Sequence, residues 1–230
     1  MIKQIRRPIF TFIGISLVSF ALSGCIVHVN AKSKSHDNDE ISYTSDLKTT
    51  NKSIKVSDGR SVDDITSVNG SIRIKDKVTA RHISNTNGQI KIGDKVQADS
   101  VAAVNGQIKI GDGFVSNGDV STVNGQIKID EESQIGGEVS SVNGSIRLEG
   151  VVVELDVVTV NGNIELKDGS HVKGNIHFRH RSNNSYRRNN PVLFISADSQ
   201  VDGDIILEQE VDLELENKSL KSKVKRLYKE

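Results

Sequence analysis

The sequence predicts an all-β fold, a parallel β-solenoid (β-helix) of coils about 18 residues long, and three observations carry that prediction. The tripeptide Val-Asn-Gly and its variants recur with asparagine at Asn69, Asn87, Asn105, Asn124, Asn143 and Asn161, at intervals of 18, 18, 19, 19 and 18 residues. A short fixed period of this kind is the signature of stacked repeats. Aligned on that asparagine, apolar residues fall into columns of aliphatic, mostly β-branched side chains. Aromatic residues make up only 4% of the chain, and three of the six phenylalanines (Phe10, Phe12 and Phe20) lie near its start, so the interior cannot be built on large rings.

The columns set the local geometry. Four residues before the asparagine stand Ile65, Ile83, Val101, Val120, Val139 and Val157, and one before it stand Val68, Thr86, Val104, Val123, Val142 and Val160. Three and five residues after it come Ile72 and Ile74, Ile90 and Ile92, Ile108 and Ile110, Ile127 and Ile129, Ile146 and Leu148, Ile164 and Leu166. The spacing of two, with polar residues between, is that of a half-buried strand. A fifth apolar position, at Val78, Val96, Phe114, Ile135, Val152 and Val172, drifts by a residue or two where coils lengthen. Gly93-Asp94 and Gly111-Asp112 mark a corner. An antiparallel meander with Asn-Gly hairpins is the competing arrangement. It would expose the valine before each asparagine, whereas a solenoid is expected to bury all five columns, so the solenoid is favoured. Burial within one coil does not offset the backbone entropy of ordering it. Each coil therefore depends on its neighbours, and the open ends need caps.

Taken in order, residues 1–24 read as an export signal. Lys3, Arg6 and Arg7 precede an apolar run from Pro8 to Leu22 that is short for a membrane span. The run ends in Leu22-Ser23-Gly24-Cys25, and Cys25 is the only cysteine. This resembles the lipobox of bacterial lipoproteins, which implies cleavage before Cys25 and acylation of its thiol, palmitate included. A lone exported thiol has no internal disulfide partner, and two or more acyl chains anchor a protein without spanning the bilayer. By resemblance to bacterial sorting behaviour, Ile26 after the cysteine implies the outer membrane of a Gram-negative envelope. The whole chain has 30 basic and 30 acidic residues, and loss of residues 1–24 leaves 27 basic residues against 30 acidic. Such a balance argues against nucleic acid as a partner.

Residues 25–60 are polar, as in AKSKSHDNDE at 31–40, and read as a flexible tether, with Ser53 to Val56 as a candidate first strand at its end. Residues 61–217 are expected to form the repeat array, clearest from 61 to 172. Gly174-Asn175-Ile176-His177-Phe178 and Gly203-Asp204-Ile205-Ile206-Leu207 echo Gly162-Asn163-Ile164-Glu165-Leu166, with a basic loop inserted at about 179–190. Glu208, Glu210, Asp212, Glu214 and Glu216 then alternate with Val211, Leu213 and Leu215, a strand with one acidic face. In residues 218–230, Leu220, Val224 and Leu227 stand at helical spacing among basic residues, which predicts a short capping helix or a basic tail.

The string S/T-V-N-G-x-I-x-I/L, repeated at this interval in an exported bacterial chain, resembles an adhesin-type β-solenoid repeat family of unknown function. The resemblance covers about residues 61–172. It implies a surface-exposed, non-catalytic structural or adhesive protein. The glycine-led echoes after Gly174 resemble, more loosely, the polymer-forming bactofilins, which implies a self-assembling scaffold as an alternative. A polysaccharide-active enzyme is the third reading.

Four residues after each asparagine lie Arg73, Lys91, Lys109, Lys128 and Arg147, then Glu165. Stacked coils would set the five cations in one row, a surface for an anionic ligand such as an envelope glycan or lipopolysaccharide. Against this stands a solvated face partly neutralised by Asp76, Asp94, Asp112 and Glu131. Gln89, Gln107 and Gln126 are expected to form a stabilising amide ladder. The loop adds Arg179, Arg181, Arg187 and Arg188 as candidate anion contacts. His177 and His180 are three apart, so a strand sends them to opposite faces, and no carboxylate is near in sequence. No catalytic constellation, cofactor site or metal site is expected. The partners expected are the membrane, through the lipid anchor, and an envelope ligand or further copies of the chain.

Overall fold

The computed structural model describes residues 45–180 and 190–228. They form a parallel β-solenoid with three faces, a ten-stranded, a nine-stranded and an eight-stranded sheet, built from every third strand except for the last strand of the ten-stranded sheet. Each coil runs along the ten-stranded face (Ser100–Asn105), turns at Asn-Gly onto the nine-stranded face (Ile108–Ile110), then crosses the eight-stranded face (Val115–Ser116) before rising to the next coil. Identical columns stack in register: Asn87, Asn105, Asn124 and Asn143 pair successively, as do Ile90, Ile108, Ile127 and Ile146. The first coil begins at Leu47–Thr49 and Ile54–Val56, so part of the stretch read as tether already belongs to the array. Among the described residues no helix is long and apolar enough to cross a membrane.

The core differs from the five expected columns in two respects. The valine before each asparagine points outward, with Val68 and Val142 38% and 41% exposed. The burial argument that favoured a solenoid over a meander therefore fails, and the in-register parallel pairing carries the fold instead. Period two, counted from Val101, puts Ala103 inside and Val104 outside. The inward column is Ser67, Asn85, Ala103, Thr122, Ser141 and Thr159, whose small and polar members hide it from a search for apolar residues. The drifting fifth column is two columns. Val78, Val96, Phe114, Ser133, Val151 and Ser170 fill one, while Ala98, Ser116, Ile135, Val153 and Val172 stack in the other. Val152 faces out, between Gln134 and His171. Volumes compensate within a coil: Phe114 accompanies Ser116, and Ser133 accompanies Ile135, which keeps the interior filled without overpacking.

The Asn-Gly corner is held by hydrogen bonds along the stack. Each asparagine Nδ2 donates to the Oδ1 of the asparagine one coil earlier, from Asn69 on Asn51 to Asn161 on Asn143, at 2.8–3.0 Å. The inward Thr122 and Ser141 hydroxyls donate to the carbonyls of Gly106 and Gly125, and Asn85 Nδ2 donates to Gly70. The glycine is required by close approach: a Cβ on Gly125 would lie 2.0 Å from the Gly106 carbonyl oxygen, and one on Gly144 1.8 Å from that of Gly125. At the next corner Asp58, Asp76 and Asp94 each accept the backbone N–H of the aspartate one coil later. The 19-residue coils gain their extra residue at the third corner, at Asn117-Gly118-Asp119 and Gly136-Gly137-Glu138, outside the strands.

The basic insertion interrupts the stack at the Asn-Gly corner. It follows Ile176–Phe178 of the ten-stranded face and precedes Val192–Ile195 of the nine-stranded face. In place of a further asparagine, Gln209 Nε2 donates to the carbonyls of Val160 and Arg179. The expected short C-terminal strand and helix cap is present, with its helix a 3₁₀ turn that ends before Val224 rather than an amphipathic helix carrying Leu220, Val224 and Leu227. Lys218–Lys223 is a 3₁₀ turn, and Val224–Arg226 is a last strand pairing with Ile205–Leu207. Leu220 is buried, Asn217 Nδ2 donates to the Ser199 carbonyl, and Lys223 Nζ donates to those of Val201 and Asp202. These contacts cover the edge strand of the eight-stranded face, whose carbonyls would otherwise invite another chain.

Candidate functional site: a stacked cationic row

On the nine-stranded face, alternation turns the residue four after each asparagine outward between two buried neighbours, as Lys91 is between Ile90 and Ile92. In-register pairing then stacks Arg73 on Lys91, Lys91 on Lys109, Lys109 on Lys128, and Lys128 on Arg147. The expected row therefore exists. It also extends one coil further, because Lys55 pairs with Arg73. The signal for Lys55 was present in Ser53-Ile54-Lys55-Val56, which repeats the pattern of Ser71-Ile72-Arg73-Ile74, with Asn51 one period before Asn69. Lys52 in place of the corner glycine masked it.

The row divides electrostatically. Lys128 Nζ lies 2.7 Å from Asp130 and 2.8 Å from Glu149, and these two carboxylates raise its pKa. Arg147 pairs with Glu165, which also pairs with Lys167. Burial pushes the Glu165 carboxyl up, but the Lys167 and Arg147 hydrogen bonds outweigh it and hold the pKa below the usual value. Beyond Glu165 the row continues as Phe194 and Glu214, and Lys167 Nζ sits 5.4 Å from the Phe194 ring centroid. By contrast, among the described residues no carboxylate lies within ion-pair distance of Lys55, Arg73, Lys91 or Lys109. The expected neutralisation by Asp76, Asp94 and Asp112 is not made. Asp76 and Asp94 accept backbone N–H groups at the corner, Asp112 donates its own N–H there, and none of the three bonds a lysine.

Two residues toward the Asn-Gly corner, Gln89 Nε2 donates to Gln107 Oε1 and Gln107 Nε2 to Gln126 Oε1, each at 3.2 Å. This is the expected amide ladder, and it runs parallel to the cations. Two residues on the other side stand Lys75, Gly93 and Gly111, and the Asp76 and Asp94 carboxylates lie where a Cβ on Gly93 or Gly111 would stand.

Arg179 is not part of this row. It ends the ten-stranded segment Ile176–Phe178, where its N–H donates to the Thr159 carbonyl. It also faces Glu138, whose pKa is raised chiefly by burial. Arg181, Arg187, Arg188 and Cys25 lie outside the described residues. A carboxylate absent from the sequence neighbourhood of the histidines is supplied by the fold: Glu208 Oε1 is 3.0 Å from His177 Nε2, and Glu208 Oε2 accepts the His180 N–H. Burial raises the Glu208 pKa, and these two contacts outweigh it and lower it. Among the described residues no group of three or more His, Cys, Asp or Glu is placed to hold a metal ion. Comparison with family models, curated proteins and solved structures returned no match for this chain.

Proposed function

We propose that this chain is a bacterial envelope lipoprotein, acylated at Cys25 and held at the outer membrane, whose β-solenoid is a non-catalytic structural or adhesive surface for an anionic envelope polymer. One observation carries the reading: Lys55, Arg73, Lys91 and Lys109 stack in register, and among the described residues no carboxylate pairs with them. Like charges directly opposite in a sheet cost stability, and an anion laid on the row relieves that repulsion. The resemblance to adhesin-type repeats and the lipobox-like Leu22-Ser23-Gly24-Cys25 point the same way. End-to-end assembly draws less support, because the C-terminal face ends in a charged edge strand and a 3₁₀ turn that occupies edge carbonyls.

Two measurements test this. Labelled palmitate should enter the wild-type protein in the membrane fraction and not Cys25→Ser. Envelope polysaccharide should be retained by immobilised protein and lost from an Arg73→Glu, Lys91→Glu, Lys109→Glu variant. Equal retention by the two proteins would remove the row from any binding role.

A further inference from the structure

The part of the row that makes no ion pair among the described residues is flanked by hydrogen-bonding positions that narrow the class of polymer. Lys55, Arg73 and Lys91 are exposed and Lys109 is half-buried. Successive coils are about 4.8 Å apart, so the four cations form a strip about 14 Å long, parallel to the stacking axis. Beside it run Ser71, Gln89 and Gln107. Along the ladder Gln89 uses one N–H, and Gln107 uses one N–H and one acceptor site; each keeps a second donor and further acceptor capacity. On the other side stand Lys75, Gly93 and Gly111, with the Asp76 and Asp94 carboxylates seated against the two glycines and holding the backbone N–H of the next coil's aspartate. The surface therefore offers one cation and one neutral amide or hydroxyl per coil, side by side.

We propose that this strip binds a linear 1,4-linked polysaccharide carrying one carboxylate per sugar, laid along the axis with about one sugar per coil. The inference rests on reading the row as an anion-binding surface. A 1,4-linked pyranose chain advances by about one ring length per sugar, close to the rise of one coil. Its carboxylates meet the cations while its hydroxyls meet the Gln89 and Gln107 amides. A nucleic-acid strand matches less well: its charges come about every 3.4 Å in a duplex strand, and the strip has no aromatic platform for bases. An anionic membrane surface lacks the apolar anchor that interfacial binding uses, since the strip is made of Lys, Arg, Ser, Gln and Gly.

The test uses the full-length chain carrying Cys25→Ser, purified without lipid, and oligogalacturonates of graded length with their methyl esters as neutral controls. Inorganic polyphosphate and vesicles of anionic phospholipid complete the probes. Affinity is expected to rise from dimer to tetramer and then level off, to vanish on esterification, and to fall with salt with a log–log slope of about −3 for four contacts. The Arg73→Glu, Lys91→Glu, Lys109→Glu variant should bind about 100-fold more weakly. The corresponding triple glutamine variant should lose binding with a thermal midpoint no lower than that of the wild type, which separates loss of charge from loss of fold. Equal binding of the esters, or tighter binding of polyphosphate or vesicles, overturns the polyuronate assignment and leaves the anion surface standing. No binding of any anionic probe overturns both.

Discussion

The coils from Asn51 to Asn161 and those that follow share one core and differ in almost everything outside it. Inside, Ile164, Leu166, Ile176, Phe178, Leu193, Ile195, Ile205 and Leu207 continue the aliphatic columns with no exposure. Outside, the asparagine ladder stops at Asn161, whose Oδ1 has no partner among the described residues. At the same corner the chain detours through the insertion, and the cationic row turns into Glu165, Phe194 and Glu214. The contrast teaches that the inward columns maintain the stack while the outward columns and corners are free to change. The unpaired cations belong to the first group of coils, and the proposed recognition belongs there with them.

That contrast can be broken first at the corners. Gly125→Ala places a Cβ against the Gly106 carbonyl, a backbone atom that cannot swing aside, and is expected to cost about 3 kcal/mol or more, as overpacking a core does. Gly169, in the later coils, has φ +74° and nothing within 4 Å of where a methyl group would stand. Its alanine variant should lose only about 1–2 kcal/mol, the cost of a left-handed residue. Denaturant unfolding of the two variants measures both, and equal losses would mean that the corner relaxes by opening the stack.

The ladder gives a smaller effect. Asn105 both donates to Asn87 and accepts from Asn124, so Asn105→Ala removes two hydrogen bonds and should cost about 2 kcal/mol. Asn161 only donates, and Asn161→Ala should cost about half as much. A reversed order would show that the ladder is stabilised from its end.

The charges give the smallest effect, and with opposite signs in the two groups. Lys91→Gln removes like-charge contacts and should stabilise by a few tenths of a kcal/mol, a gain that shrinks as salt rises. Glu165→Gln strips Arg147 and Lys167 of their partner and should destabilise. Because the folded pKa of Glu165 is lowered, its contribution is present above the unfolded value of about 4.3 and disappears as pH falls through the folded one. The difference between wild type and Glu165→Gln should therefore be seen at pH 7 and close toward acid. Thermal melts across pH check it, and a difference that grows in acid contradicts the pairing.

Much of this was legible in the residues. The 18-residue period, the isoleucines three and five after each asparagine, and the alternation of Arg73 or Lys91 between them dictate a half-buried strand repeated in register. Once the coils stack in parallel, the cationic row and the glutamine ladder follow; the choice of solenoid over meander did not, because the valine column used to make it faces outward. Lys55 was legible too, though hidden by the missing corner glycine. The column of Ser67, Asn85, Ala103, Thr122, Ser141 and Thr159 was not, because inward positions at a tight corner hold small polar residues that satisfy glycine carbonyls rather than apolar ones.

The sequence by itself determined the repeat and, on the Ile-x-Ile strands, which side chains turn outward, since period and alternation are properties of neighbouring residues. Only the tertiary structure decided which charges remain unpaired. That depends on whether Asp94 meets a lysine or the backbone amide of the next coil, and on Glu149 and Glu165 reaching across coils to Lys128 and Arg147. Distances between coils, not positions along the chain, set those competitions.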